Sequence, residues 1–342
     1  MQDTDLSLIE KIDISHIDIE HELAERGLAY SKTSGANLKA HCVMPNHQDS
    51  TPSAVISLRP NKYGLWYCNG CGASGNFFHL ISHLDGVSYR DAVSQFFGDT
   101  TDIDFLLKTA IQMLKKKSQI QPIKYRTINM AKFHALSKPT GRGLKYLQSD
   151  KRKLTPETIA KFCLRQIEKG KHKQRIAIPY YGKTGKILTV KTRTYLPDNG
   201  KRIKMLSVVG TQPKPSLYGL YDSIGNVNVS GFKGAENEAI LVEGEFDAMY
   251  MQQNNYRAYG LGSTSISSNQ IADVVKNFDH VYVALDSDMF DTEEKRKVMK
   301  RLCDKLAAFI QVTVVRLPDG QDPNSMTPKQ LDEVFGKFFA NP

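Results

Sequence analysis

Nowhere in this 342-residue chain does an apolar run approach the roughly 20 residues that a membrane-spanning helix needs. Its first residues, Met1-Gln2-Asp3-Thr4-Asp5, are acidic where a secretory leader is basic and then apolar. These two lacks predict a cytoplasmic protein with no membrane partner. Cysteine is scarce: the five present are too few and too unevenly spread for a disulfide framework. There is no internal repeat and no low-complexity tract. A P-loop is also missing. Gly182-Lys183-Thr184 ends as one would, but Ala177 stands where the first glycine belongs, and the segment reads as a hairpin turn. An NTP-driven motor is therefore not expected. What is present is a 40% hydrophobic content, ample for packed cores, in a length that suits about two or three domains.

Charge is unevenly distributed. The formal net charge is +10, yet residues 124–214 alone hold 23 Lys and Arg against 4 Asp and Glu, leaving the remainder acidic. A structured segment this basic is the electrostatic footprint of a polyanion. It alternates strand and turn patterns without a long amphipathic helix, which favours nucleic acid over a membrane surface.

The most informative residues are acidic. Glu243-Gly244-Glu245-Phe246-Asp247 directly follows the apolar run 239–242, and Asp286-Ser287-Asp288 follows 281–285. Short apolar runs of this kind read as buried parallel strands. Strands are expected near 239–243, 257–260, 280–286 and 311–316. Helices are expected near 246–254, 268–277, 292–309 and 327–339. This alternation predicts a parallel sheet with right-handed crossovers. Acids at the carboxyl ends of such strands lie where α/β folds place their ligands. Asp322, in the loop after the fourth strand, joins them. Glu243, Asp247, Asp286, Asp288 and Asp322 are therefore expected to converge and hold Mg²⁺ or Mn²⁺, with two ions clamping an in-line phosphoryl transfer. Gly260, Gly262, Ser263 and Thr264, at the second strand's exit, offer a lean backbone that could approach phosphate.

Three cysteines share one window. Cys42-x4-His47 is followed by Cys68-x2-Cys71, the layout of a zinc ribbon, and four protein ligands leave no open position, so the zinc is expected to be structural. His41, beside Cys42, competes with His47 for the fourth place. Tyr63 and Trp66 are candidates for stacking on an unpaired base. A helix is expected over 103–114 and a linker over 112–126, leaving the cysteine unit movable relative to the rest.

Taken together, these blocks resemble the bacterial DnaG-type primases. The acid set is similar to a Toprim domain, and a zinc unit ahead of Toprim is similar to the primases specifically. Between them, Arg142-Gly143-Leu144, the stretch 154–162, Lys204-Met205-Leu206-Ser207 and Leu217-Tyr218-Gly219-Leu220 resemble the family's segments in the family's order. The resemblance implies an α/β fold: a Toprim-type parallel sheet with flanking helices, preceded by a mixed α+β basic subdomain and an N-terminal zinc ribbon. Its domains would be a zinc-binding domain (1–111), linker (112–126), basic subdomain (127–235), Toprim domain (236–325) and C-terminal helix (326–342). It implies a catalytic role for Glu243, Asp286 and Asp288, zinc on Cys42, His47, Cys68 and Cys71, and phosphate or template contacts from Arg193, Lys204 and Lys214.

The activity implied is synthesis of short RNA primers from NTPs on single-stranded DNA, with a replicative helicase acting in trans. The chain departs from the family in spacing Cys42 and His47 by four residues instead of two, in Ser287 where glycine is common, and in Gln321 where lysine is common. About 20 residues follow Asp322, which suggests a minimal phage or mobile-element primase, the alternative being a piece trimmed from a longer protein. Alternatives are a non-catalytic zinc-finger/Toprim recombination mediator of the RecR type, or a Toprim nuclease.

Overall fold

The computed structural model describes residues 14–97 and 126–339, apart from positions 34, 46, 201, 209, 210, 212 and 213. The expected helix over 103–114 and nearly all of the expected linker lie outside these residues. In chain order the described elements begin with α1 (Ile19–Glu25), β1 (Tyr30–Thr33), β2 (Asn37–Ala40), β3 (Ala54–Ser57), β4 (Trp66–Cys68), β5 (Ala73–Gly75), α2 (Phe77–Asp85) and α3 (Tyr89–Phe97). After residue 126 come α4 (Met130–His134), α5 (Gly141–Gln148), α6 (Pro156–Lys161), β6 (Arg165–Ile167), β7 (Arg175–Tyr181), β8 (Ile187–Thr194) and β9 (Met205–Ser207). The remainder is β10 (Glu238–Val242), α7 (Glu245–Gln253), β11 (Ala258–Gly260), α8 (Ser268–Asn277), β12 (His280–Val283), α9 (Glu293–Ala307), β13 (Gln311–Val314) and α10 (Pro328–Phe339).

These elements form two compact units. One takes its described residues from 1–120, 275–283 and 296–315, the other from 121–274, 284–295 and 316–342. In the first unit a meander β1 to β5 pairs antiparallel throughout. Its last strand, β5, then pairs antiparallel with β13 (Val312 opposite Ser74), and β13 pairs parallel with β12. The ribbon is thus continuous with the β12–β13 pair, a different arrangement from a freely moving zinc module. Its glycines make this join possible: Gly72 lies at φ 74, and a Cβ there would meet the Val314 carbonyl at 2.8 Å.

The core of this unit gathers Ile19, Leu23, Leu38, Ile56, Trp66 and Phe77. Trp66 is 2% exposed and donates its indole N–H to the Asn76 carbonyl, so it is a core residue and not a base platform. Tyr63 also turns inward, donating its hydroxyl to Ile17 O at 2.9 Å. Helix α2 starts at a reciprocal cap, in which Asn76 accepts from His79 N and His79 Nδ1 accepts from Asn76 N. It ends at Gly86 in the left-handed region.

The second unit holds a four-stranded antiparallel sheet in the order β6-β7-β8-β9. Strand β7 is buried along its whole length, while β8 alternates. The Gly182–Gly185 segment is the turn between them, as its hairpin pattern predicts. Strands β10 and β11 pair in parallel (Leu241 opposite Tyr259) with α7 as the crossover between them. Helix α7 is buried from Glu245 to Gln252, which explains why its sequence shows no clear polar face. The Toprim-type alternation is present within three residues of its expected bounds.

Arg257, 1% exposed at the entry of β11, fixes the loop ahead of β10 by donating to the carbonyls of Val229 (2.8 Å), Glu238 (3.1 Å) and Ala235. Arg257→Leu strands those buried acceptors. It is expected to lower stability by about 2–4 kcal/mol in chemical denaturation, and an unchanged midpoint would show that the loop does not depend on this side chain.

Candidate active site and zinc centre

The zinc ligands converge first from two loops. Cys42 leaves β2, His47 lies five residues on, and Cys68 and Cys71 bracket the β4–β5 turn. Their ligand atoms all lie within 4.8 Å of one another. Cys42 Sγ is 3.7 Å from Cys71 Sγ, and Cys68 Sγ is 3.5 Å from His47 Nδ1. A tetrahedron built on ~2.3 Å Zn–S bonds has edges of about 3.8 Å, so the set fits a closed zinc centre. The four-residue Cys42–His47 spacing therefore closes the site without distortion of the set.

The surroundings also suit a metal. Ser53 Oγ contacts Cys68 Sγ at 3.1 Å, and Asp49 Oδ2 accepts from Cys42 N, Ser53 N and Ser53 Oγ. Crowded sulfurs pull their titrations apart: hydrogen bonds from Cys42 and then Cys71 hold the Cys68 thiol far below its ordinary range, while Cys42 is pushed far above it. Gly70 is backed by the His47 ring, leaving no room for a Cβ. His41 is not part of the set; its Nδ1 pairs with Asp49 O at 2.9 Å.

The acid edge forms at the end of β10. Glu243 follows Val242, and Gly244 opens the turn into α7. There Asp247 Oδ2 accepts from Gly244 N at 3.1 Å and its Oδ1 accepts from Asn324 N at 3.3 Å. Ala284 N donates to Leu241 O at 2.9 Å, which brings the 284–288 segment alongside. Ser287 N donates to Gln321 O at 3.0 Å, which brings in the loop that carries Asp322.

The carboxylates respond to one another. Burial, then Asp322 and Asp286, push Asp247 up to about 7. Burial, then Glu243, Asp322 and Asp288, push Asp286 to about 7 as well. Glu243 is raised by burial, Asp247, Asp288 and Glu245 in that order. Asp286 Oδ1 and Gln321 Oε1 are buried with no hydrogen-bond partner. Hard oxygens in surplus, with a buried acceptor left over, match the donor chemistry of Mg²⁺ or Mn²⁺. The spacing is wider than the sequence suggests, since among the described residues only the cysteine–histidine set brings three or more such ligand atoms within 4.8 Å. Lys295 Nζ meets Asp288 Oδ2 at 2.8 Å on the exposed rim.

Of the three expected phosphate contacts, Arg193 and Lys204 line one open cavity of about 280 Å³ together with Lys151, Arg202, Tyr146 and Tyr195. Arg193 Nε is buried there without a partner, and Lys204 pairs with Asp198 at 2.6 Å. Lys214 does not line this cavity; its Nζ donates to Ser265 O and Oγ, at the loop leaving β11.

Two stretches of the chain match known families by sequence. Residues 5–113 match the CHC2 zinc finger family and residues 240–327 the Toprim-like family. In sequence the chain is similar to bacterial DNA primases. The DNA primase of Rickettsia felis is 24% identical over 93% of this chain and 56% of its own. That of Chlamydia trachomatis is 26% identical over 94% and 57%. The chain spans little more than half the length of these relatives. Among solved structures, the Aquifex aeolicus primase (zinc binding and RNA polymerase domains) aligns with 98% of this chain and 86% of its own at a TM-score of 0.48 and 21% identity.

Beside the acid edge stand residues that the primary sequence does not advertise. Arg152 lies 4.3 Å over the Phe246 ring, donates to Asn324 Oδ1 at 3.2 Å, and moderates the charge near Asp247. Asn324 is 1% exposed and returns a bond to Arg152 O. Both lie in loops without periodicity, so only the Asp322-Pro323-Asn324 adjacency offered a signal. Gly262 is lean for a reason other than phosphate: Lys191 and Tyr180 occupy the space a Cβ would take.

Cys68→Ser is expected to lose one equivalent of zinc by elemental analysis and to destabilise the first unit by roughly 3–5 kcal/mol. Retained stoichiometric zinc would exclude Cys68 as a ligand. A second expectation concerns pH. Asp247 and Asp286 titrate near 7 when folded and near 3.8 when unfolded, so the folded state binds more protons between those values. Without divalent cations, stability should fall as pH rises from about 4 to 7, and Mg²⁺ should restore it at pH 8. Asp286→Asn should flatten that slope; denaturant midpoints in chelator show whether it does.

Proposed function

We propose that this chain is a DNA primase that joins ribonucleotides on a single-stranded DNA template. One observation carries the reading: Glu243, Asp247, Asp286, Asp288 and Asp322 stand at one strand edge, where burial and then their mutual charge push Asp247 and Asp286 up to about 7. Glu243, Asp286 and Asp288 are the catalytic acids in this reading, and Asp247 and Asp322 complete the Mg²⁺ or Mn²⁺ ligand set. A divalent cation held there supplies Lewis-acid polarisation of a phosphoryl oxygen and neutralises developing charge.

The chain's own residues bind and orient. Arg193, Lys204 and Lys214 hold nucleotide phosphate and template backbone, contacts that set position more than sequence. Asp247, fixed by the amides of Gly244 and Asn324, keeps one oxygen aimed toward the loop of Asp322. The zinc ribbon, on Cys42, His47, Cys68 and Cys71, is structural and aids the choice of start site. With no P-loop, duplex opening falls to a helicase in trans. Among the described residues no helix is long and apolar enough to cross a membrane, which suits a replication protein.

The test uses single-stranded DNA, labelled NTPs and Mg²⁺ or Mn²⁺, scored for new oligomers, strand cuts or binding alone. Glu243→Ala should lower oligomer synthesis at least ~100-fold while template affinity stays unchanged. Strand cuts would favour a nuclease, and binding without product a RecR-like mediator.

A further inference from the structure

Lys191, Glu245 and Tyr180 form a buried polar knot that none of the roles above uses. Lys191 Nζ donates to Glu245 Oε1 at 2.6 Å and to the Gly262 carbonyl at 2.9 Å. The Tyr180 hydroxyl donates to the same Glu245 oxygen. The two charged side chains are 12% and 5% exposed. Gly262 sits at φ 73, with Lys191 Nζ and the Tyr180 hydroxyl filling the space beside its Cα. The Lys191 ammonium on strand β8 thus links the first turn of α7, through Glu245, to the exit of β11, through the Gly262 carbonyl.

Stability does not call for such a pair. Desolvating two charges offsets most of their attraction, and well-packed apolar replacements of a buried ion pair are often neutral or stabilising. Its location suggests another use. Glu245 lies between Glu243 and Asp247 in sequence. Lys191 lies two residues before Arg193 on β8, and strand alternation puts both on the same face. One end of the pair fixes the acid edge; the other fixes the strand that carries a phosphate-binding cation.

We propose that Lys191 and Glu245 are positioning residues: a clamp that sets the spacing between Arg193 and the acids Glu243 and Asp247. What it positions rests on the primase reading; that it positions the three segments does not. A misplacement on the order of 1 Å in a reacting geometry can slow turnover ~100-fold without loss of binding.

The full chain carrying Lys191→Met with Glu245→Leu decides the matter. The denaturation midpoint should be equal to or above that of the wild type. Amide exchange over 191–194, 243–247 and 260–263 should quicken at least about tenfold while the rest of the chain is unaltered. Primer-synthesis kcat should fall at least about tenfold, with KM for NTP within about threefold. Unaltered local exchange overturns the clamp, as does wild-type kcat in the double variant. If the wild type makes no oligomers, the primase reading fails and the exchange result alone decides the clamp. Should the double variant not fold, Lys191→Gln with Glu245→Gln, which keeps hydrogen-bonding groups in the knot but gives up both charges, is put through the same exchange and kinetic measurements with the same expected and overturning results.

Discussion

Like charges held close together are the constraint around which the second unit is organised. The fold draws five carboxylates toward the end of β10, and burial strengthens their repulsion because little water intervenes. Several features make this tolerable. Gly244 N and Asn324 N each donate to Asp247, and Asp247 also lies in the first turn of α7, where the helix dipole favours negative charge. Arg152, stacked on Phe246, lends distant positive charge. What these do not compensate, a bound proton does near neutrality at Asp247 and Asp286. In the function proposed above, a divalent cation would take the place of those protons.

The zinc centre addresses a different shortage. The meander β1–β5 is built from strands of three or four residues, and its core relies on a few large side chains such as Trp66, Phe77 and Phe78. Four ligands drawn to one point tie two loops together, adding to the packing of Val43 and Met44 against the core. The pairing of β5 with β13 then shares that rigidity with a strand far along the chain. Helix α9 reinforces the join, since Lys62 pairs with Asp304 at 2.7 Å and Asn76 Nδ2 donates to Ala308 O at 3.2 Å.

Much of this was legible before any coordinates. Strand–helix alternation after residue 238 depends on local periodicity, which short-range physics sets, and its bounds lie close to those observed. The Cys-x2-Cys knuckle and the acids trailing apolar runs are local patterns as well. What escaped notice depends on tertiary neighbours. Lys191 reads as one more cation in a basic strand, and Glu245 as one more acid in Glu243-Gly244-Glu245; only the fold makes them partners. Arg152 and Asn324 are brought together over 172 positions of sequence. Trp66 looked equally suited to base stacking or to packing, because an aromatic next to a knuckle carries no mark of which side it faces. The junction of β5 with β13 was unreadable too, as three-residue strands in distant segments leave no periodic trace of their pairing.

That junction also bears on how the chain could be dissected. Cutting away the ribbon would strip β13 of its hydrogen-bonded neighbour and leave bare amides and carbonyls along a strand whose residues are half apolar. Exposed edges of that kind recruit other chains. A shortened protein made to isolate the acid edge would therefore invite self-association from the strand it uncovers, unless β5 were kept in place as a cover.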